Sequence, residues 1–299
     1  MLTWTLWREL QNPPRSHPLF WRIVQQGQKS GRQWWLRAFQ IGAVLLLAGV
    51  AFVSLPSALV LLVCGAIGLP VLILIGSSGF YAALSAMDTA DALAQEALAG
   101  THDLLRATPA GAPAVDWLIA SACLHRNQRL SQVHSLVRVV AIAGGLALGA
   151  VTLFLAASVV GAQEQERFAL TYGALNDMSR LLVLCLIIYV DHVQSFIAGG
   201  LVGIVSAYAV RTPLETRVWA FVGFWVQQIA TYALAFGLTM LLWGGLEQLL
   251  APSAGRALLM SAMALLSFAA VREAMLGALW RWMLHLSLGM NRPRPVELR

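Results

Sequence analysis

The sequence predicts an all-α, polytopic membrane protein with six transmembrane helices, an N-terminal interfacial helix and a cytoplasmic helical segment between spans two and three. Hydrophobic residues make up 59% of the chain and charged residues 11%, against roughly 45–50% and about 25% in soluble proteins. The mean hydropathy is +0.71. Apolar runs close to the roughly 20 residues that cross a bilayer recur along the chain, with charged stretches between them.

Residues 1–36 precede the first long apolar run and form the predicted cytoplasmic or interfacial N-terminal segment. Basic residues and tryptophans are interspersed there, and prolines divide the stretch into short pieces. From Leu19 onward, apolar and polar residues alternate as in an amphipathic helix that lies in the membrane interface, with tryptophans at headgroup depth. An ordinary basic anchor accounts for the same pattern, and both interpretations remain open.

The membrane domain is predicted over residues 37–286 and is followed by a cytoplasmic tail at 287–299. Its six spans are predicted at 37–55, 58–81, 137–161, 178–210, 218–243 and 256–286. Polar loops or turns are expected at 162–177, 211–217 and 244–255. The fourth apolar run, of about 33 residues, is too long for one untilted span and too short for two, so we expect one long helix. Its Gly199-x-x-x-Gly203 spacing predicts a close-packing face.

The distribution of basic residues predicts the orientation. With a cytoplasmic N-terminus, only Arg167, Arg180 and Arg256 of the 20 basic residues lie outside, so the other 17 lie inside. Lysine and arginine are enriched in cytoplasmic loops. We expect a multi-pass protein of the bacterial inner (plasma) membrane, and the charge distribution predicts that both termini and the connecting segment 85–136 lie in the cytoplasm.

Several function classes lack support in the sequence. The basic residues form no run interleaved with stacking aromatics, so no nucleic-acid binding is expected. Cys64, Cys123 and Cys185 have no metal-ligand spacing, and no metal or cofactor is expected. No nucleotide-binding loop, zinc-protease motif or serine-hydrolase motif occurs. We therefore predict that the chain is not itself an enzyme and has no catalytic residues.

Two ionisable residues, Asp191 and Arg272, fall inside predicted spans. Counted from the outer ends of their helices, they lie at similar depth, about 5 Å apart in height. Charges at such depth are costly and usually pair or face a polar path. A structural ion pair, a role in a translocation path and an interface location are the three alternatives. Gln227 and Gln228 in the fifth span are expected to form interhelical hydrogen bonds.

Residues 85–109, called here the 85–109 segment, have mixed polarity between two strongly apolar blocks. Acidic residues such as Asp91 exclude this stretch from lipid, so it is expected to lie on the membrane as a docking surface or a linker. Gly100 is predicted to end one helix in a left-handed conformation, and Thr101 to cap a short second helix that stops before Pro109. His102 is expected to be solvated.

The run from Glu96 to Pro109, EALAGTHDLLRATP, resembles the Glu-x-x-x-Gly-Thr-x-[Asp/Glu]-Leu-Leu-x-x-Thr-Pro signature of ABC transporter permeases of the type-2 exporter superfamily. The resemblance implies a membrane-spanning permease subunit that is driven by a separate nucleotide-binding ATPase subunit and paired as a homo- or heterodimer with a second permease among membrane lipids. It implies a coupling surface formed by Glu96, Gly100, Thr101, Asp103, Leu104, Leu105, Thr108 and Pro109.

The chain departs from the signature at two places. Members commonly carry a basic and a second acidic residue just before the Gly-Thr pair, where this chain has Ala97 and Leu98. They also carry a lysine about ten residues after the Thr-Pro pair, where this chain has none. The alternative hypothesis is therefore a non-transporting structural subunit of a larger membrane protein complex.

Overall fold

The computed structural model describes residues 2–13, 17–26, 78–102, 111–126, 164–210, 212–249 and 254–289. Regular structure in these ranges is helical throughout, as predicted. The helices are α1 (Leu2–Gln11), α2 (Pro18–Gln26), α3 (78–98), α4 (Gly111–Arg126), α5 (Glu164–Ala209), α6 (Pro213–Leu249) and α7 (Ala254–Gly289).

Three of the described helices are long and apolar enough to cross a membrane. Their candidate spans are Leu182–Ala209, Pro213–Gly245 and Leu259–Leu288. They correspond to the fourth, fifth and sixth spans predicted from the sequence. The first three predicted spans, at 37–55, 58–81 and 137–161, lie outside the described residues, except that residues 78–81 belong to α3.

The long helices begin or end beyond their predicted bounds. Residues 164–177 were predicted as a polar loop, but they form the first turns of α5, which has 46 residues. This stretch is rich in Glu, Gln, Ala, Leu and Arg, which favour helix even where they are polar. Similarly, α6 continues to Leu249 through part of the predicted loop at 244–255. Polar residues therefore indicate where an apolar run ends, but the helix continues beyond that point.

The connection between α5 and α6 is shorter than the predicted turn at 211–217, because α6 begins at Pro213. Proline is favoured at the first helical position, where its missing N–H is not needed. The Thr212 hydroxyl accepts a hydrogen bond from the Glu215 N–H at 3.4 Å, and the Thr212 carbonyl accepts one from the Thr216 N–H at 3.0 Å. Thr212 is therefore the N-cap, which places Arg217 on the first turns of α6.

Helices α3 and α5 approach each other closely through two glycines. A Cβ atom built on Gly199 would lie 2.5 Å from the carbonyl oxygen of Ala82, and one on Gly203 would lie 2.6 Å from that of Ala86. Ala82 and Ala86 are completely buried. The predicted packing face on the fourth span is confirmed, and its partner is α3.

Helix α4 lies in the interior, since Val115–Leu124 are all buried. The apolar side of α2, which includes Phe20, packs against α4 and leaves Trp21 exposed. Helix α7 packs against α6 and also contacts α1 and α4. At the α1 contact, the Thr3 hydroxyl donates a hydrogen bond to the Glu273 carboxylate.

The chain divides into two compact units. One unit contains α1 to α4, α6, α7 and most of α5, together with the contacts between these helices. The described part of the other unit is the helical backbone of residues 164–175.

Candidate functional site

Five polar side chains meet between α5, α6 and α7; four are buried, and the fifth, Tyr232, lies at the edge of the group and is 38% exposed. This buried polar cluster consists of Asp191, Ser195, Gln228, Tyr232 and Arg272. Gln228 and Arg272 each lie within two residues of the middle of their candidate spans. Arg272 is fully buried, and Asp191 is 4% exposed. The cluster therefore places an ionisable pair among apolar helices, where charges are retained only with partners.

The cluster is held together from all three helices. The Arg272 guanidinium forms an ion pair with the Asp191 carboxylate, and it donates to the Gln228 side-chain oxygen at 2.9 Å and to the Ser195 hydroxyl at 3.0 Å. The Tyr232 hydroxyl donates to the second Asp191 oxygen at 3.0 Å. The Gln228 amide nitrogen lies 2.7 Å from the Tyr232 hydroxyl and 3.3 Å from Asp191. Removing one member would take one of several hydrogen-bond partners from each of its buried neighbours, at a cost in free energy because water does not replace that partner.

Aromatic rings cover the arginine. The Arg272 guanidinium carbon lies 5.6 Å from the centre of the Tyr232 ring and 5.8 Å from that of Phe268, and these two rings stack. Both distances are within the range of a cation–π interaction. Among the described residues, the Arg272 Nε is buried without a hydrogen-bond partner. The arrangement is electrically neutral and most of its polar atoms are satisfied, which suits a fixed connection between spans.

The structure brings together the two residues that the sequence had placed at similar depth, Asp191 and Arg272. Gln228 joins α6 to both of the other helices, as expected for interhelical hydrogen bonding. Gln227 instead donates to Thr231 on its own helix at 3.1 Å. Ser195 and Tyr232 were missed, although each lies four residues after a cluster member on the same helix face, which is a spacing that could have identified them.

A second group of charges connects α3 to its neighbours. Three acidic side chains of α3 each pair with an arginine of a different helix, namely Asp88 with Arg126 of α4, Asp91 with Arg217 of α6, and Glu96 with Arg22 of α2. These three pairs are called the α3 ion pairs below. The sequence places the acidic residues in the 85–109 segment but does not reveal their partners, because the partners lie on three separate elements.

The end of α3 has the predicted geometry in part. Gly100 has a φ of +69°, so the predicted left-handed helix end is confirmed. The Thr101 hydroxyl donates backward to the Glu96 carboxylate. Residues 101–102 are helical, and the rest of the predicted short second helix lies outside the described residues. Glu96 is nearly buried, between Thr101 and Arg22. The exposed tip of the segment is residues 97–100, where Leu98 is 70% exposed.

The remaining residues of the predicted coupling surface, Asp103, Leu104, Leu105, Thr108 and Pro109, lie outside the described part of the chain. His102 is described, and the prediction that it is solvated is wrong. Its side chain is buried against α4, where Nε2 lies 3.0 Å from Oδ1 of the fully buried Asp116 carboxylate. This carboxylate replaces the water that a solvated histidine would contact. A lone histidine in a polar stretch gave no sign of a partner fourteen residues later.

Within the described ranges, no three His, Cys, Asp or Glu side chains are arranged to hold a metal ion. Comparisons with models of protein families, with curated proteins and with solved structures each find no match. The residues and contacts of this chain are therefore the basis for assigning a function.

Proposed function

We propose that this chain is a membrane-spanning permease subunit of an ABC-type exporter, in which a separate nucleotide-binding subunit drives rearrangement of the helices that moves a substrate. The observation that carries the proposal is the ion pair between Asp91 of α3 and Arg217 of α6. It joins the 85–109 segment, whose sequence resembles the permease signature, directly to a candidate membrane span.

Helix α6 provides a continuous connection from this ion pair to the buried polar cluster. Gln228 follows Arg217 by 11 residues on the same helix, which is about 16 Å along its axis. Gln228 in turn holds Arg272 of α7 and Asp191 of α5. A displacement passed through this ion pair would therefore act on α6 first and on the other two spans through the cluster.

The glycine contact supplies a second connection, from α3 to α5. The helices touch at Gly199 and Gly203 through backbone atoms of α3, without long flexible side chains between them. Packed interiors transmit displacement because they have few voids to absorb it. The α3 ion pairs and the glycine contact together attach α3 to α2, α4, α5 and α6, as a segment that transmits motion requires.

The proposal includes the orientation predicted from the basic residues, with both termini and the 85–109 segment on the cytoplasmic side of the inner (plasma) membrane. An ATPase subunit would then meet the exposed tip at residues 97–100. A second permease, identical or related, would complete the translocation unit within the lipid bilayer.

Purification in mild detergent tests the proposal. We expect a protein with nucleotide-binding motifs to co-purify in a fixed ratio and its ATP hydrolysis to depend on this subunit. A preparation that retains its natural partners but contains no ATPase would contradict the proposal.

The second candidate function is a non-transporting structural subunit of a larger membrane complex. The observation that favours it is the pairing of Asp88, Asp91 and Glu96 within this chain, which leaves these carboxylates occupied by the chain's own arginines. Subunits of a different kind would then be recovered instead of an ATPase. Substitutions in the 85–109 segment would change the yield of the complex and no transport or ATPase activity.

A further inference from the structure

One carboxylate outside the buried polar cluster is also completely removed from water. Asp116 of α4 has no exposed surface, and both of its oxygens have partners. His102 lies with Nε2 at 3.0 Å from Oδ1, and the Tyr208 hydroxyl donates to Oδ2. The rings of His102 and Tyr208 also lie close together, with 6.2 Å between their centres and 56° between their planes. These three residues are called the Asp116 latch.

The latch joins three parts of the chain. His102 follows Gly100 and Thr101 at the end of the described part of the 85–109 segment, whereas Tyr208 is the second-to-last residue of α5. Asp116 is in the second turn of α4, and the next residue, Trp117, packs against Gly200 of α5. The carboxylate therefore links His102, just beyond the exposed tip, to the end of a candidate span.

Because Asp116 is buried, this link depends on both of its hydrogen-bond donors. A buried carboxylate needs hydrogen-bond donors, and removing one donor leaves an oxygen with neither protein nor water to satisfy it. Since Asp116 has no exposed surface, bulk water cannot take the place of His102 or Tyr208. Asp116 therefore holds His102 in place, in addition to the ion pairs that hold α3.

We propose that Asp116 is a positioning residue that fixes residues 101–102, which follow the exposed tip, to the C-terminal end of α5. The positioning itself follows from the contacts of the latch. Its role in conveying ATP-driven motion to α5 rests on the proposed permease function. The latch adds a route from the exposed tip to α5 that does not pass through the glycine contact of α3.

Hydrogen–deuterium exchange of the full chain in detergent tests the latch, with two tyrosine variants as a matched pair. Tyr208→Phe removes one donor to Asp116 and keeps the ring, while Tyr232→Phe removes one donor to Asp191 in the buried polar cluster. Losing a hydrogen bond to a charged group corresponds to about a tenfold change or more in a local opening equilibrium. We expect Tyr208→Phe to accelerate exchange at residues 97–102 about tenfold, and Tyr232→Phe to leave those residues unchanged.

Asp116→Asn is the second variant, since it keeps the size of the side chain. It should accelerate exchange at residues 97–102. The exchange rate in the double variant with Tyr208→Phe should be only slightly higher than in Asp116→Asn alone, because both changes act on one carboxylate. Two results would contradict the proposal. One is unchanged exchange at residues 97–102 in Tyr208→Phe; the other is acceleration in that variant that is equal at residues 97–102 and around Asp191. If the local change occurs but no ATPase co-purifies, the latch stands and the permease function fails.

Discussion

Substitution of Gly199 by alanine should separate α3 from α5. The new Cβ would lie 2.5 Å from the Ala82 carbonyl oxygen, which is closer than Cβ atoms come to other atoms in proteins, so the two atoms must move apart by at least several tenths of an ångström. The opposing atom belongs to the backbone of a helix, so no side-chain rotation relieves the overlap. Ala82→Gly should therefore not rescue the variant.

Overpacking of this kind costs about 1–3 kcal/mol. Since both neighbours are helix backbones, we expect the upper half of that range, which lowers Tm by roughly 5 °C or more for a chain of this size. Gly203→Ala should behave similarly, because its Cβ would lie 2.6 Å from the Ala86 carbonyl oxygen. The assay is thermal unfolding of the detergent-purified protein, with retention of the monodisperse peak on size exclusion as the readout.

Gly237→Ala is the matched control, since a Cβ at this helical position meets no atom within 4 Å. Alanine stabilises a helix interior relative to glycine by about 0.5–1 kcal/mol, so this variant should unfold at the same temperature as the parent or slightly higher. If Gly199→Ala and Gly237→Ala have equal Tm values, α3 does not lie against Gly199, and the glycine contact is refuted.

Three further predictions concern the charges, the helix end and the orientation. Asp191→Asn should lower assembly yield more than Asp191→Asn combined with Arg272→Gln. The single change leaves a buried cation without its counter-charge, at a cost of about 3–5 kcal/mol. If the loss of yield in the double variant equals the sum of the losses in the two single variants, Asp191 and Arg272 are not coupled. Gly100→Leu should leave insertion and abundance normal but reduce ATPase stimulation, because its positive φ costs a side chain about 1 kcal/mol, and full stimulation at normal expression would exclude a coupling role. In intact cells, an impermeant thiol reagent should label a cysteine at Gln163 and not one at Gly100, and the reverse pattern would overturn the orientation.

Much of the fold could be predicted because helix periodicity and apolar length are local properties. The glycine spacing of α5 identified a packing face, and counting residues along two spans placed Asp191 and Arg272 at one depth. Helix ends were less predictable, since Glu164 and its neighbours are polar and still helical. Sequence polarity reports where a residue meets water or lipid, whereas the helix itself continues wherever its residues favour it.

The partners in the candidate site could be predicted only in part. Asp91 was recognised as too polar for lipid, but its pairing with Arg217 depends on which turn of α6 faces α3. Which turn faces α3 is a tertiary feature, and no spacing within either helix reveals it. The burial of His102 had the same origin, because Asp116 reaches it from a helix whose placement no local pattern reveals.

In the proposed mechanism, the 85–109 segment drives the spans through the ion pair between Asp91 and Arg217. The most direct test is the ATPase activity of the co-purified partner with subunits that carry Asp91→Arg, Arg217→Asp, or both changes. We predict that each single reversal places like charges together and reduces stimulation at normal expression, and that the double reversal restores much of it. Full stimulation with both single variants would contradict this mechanism.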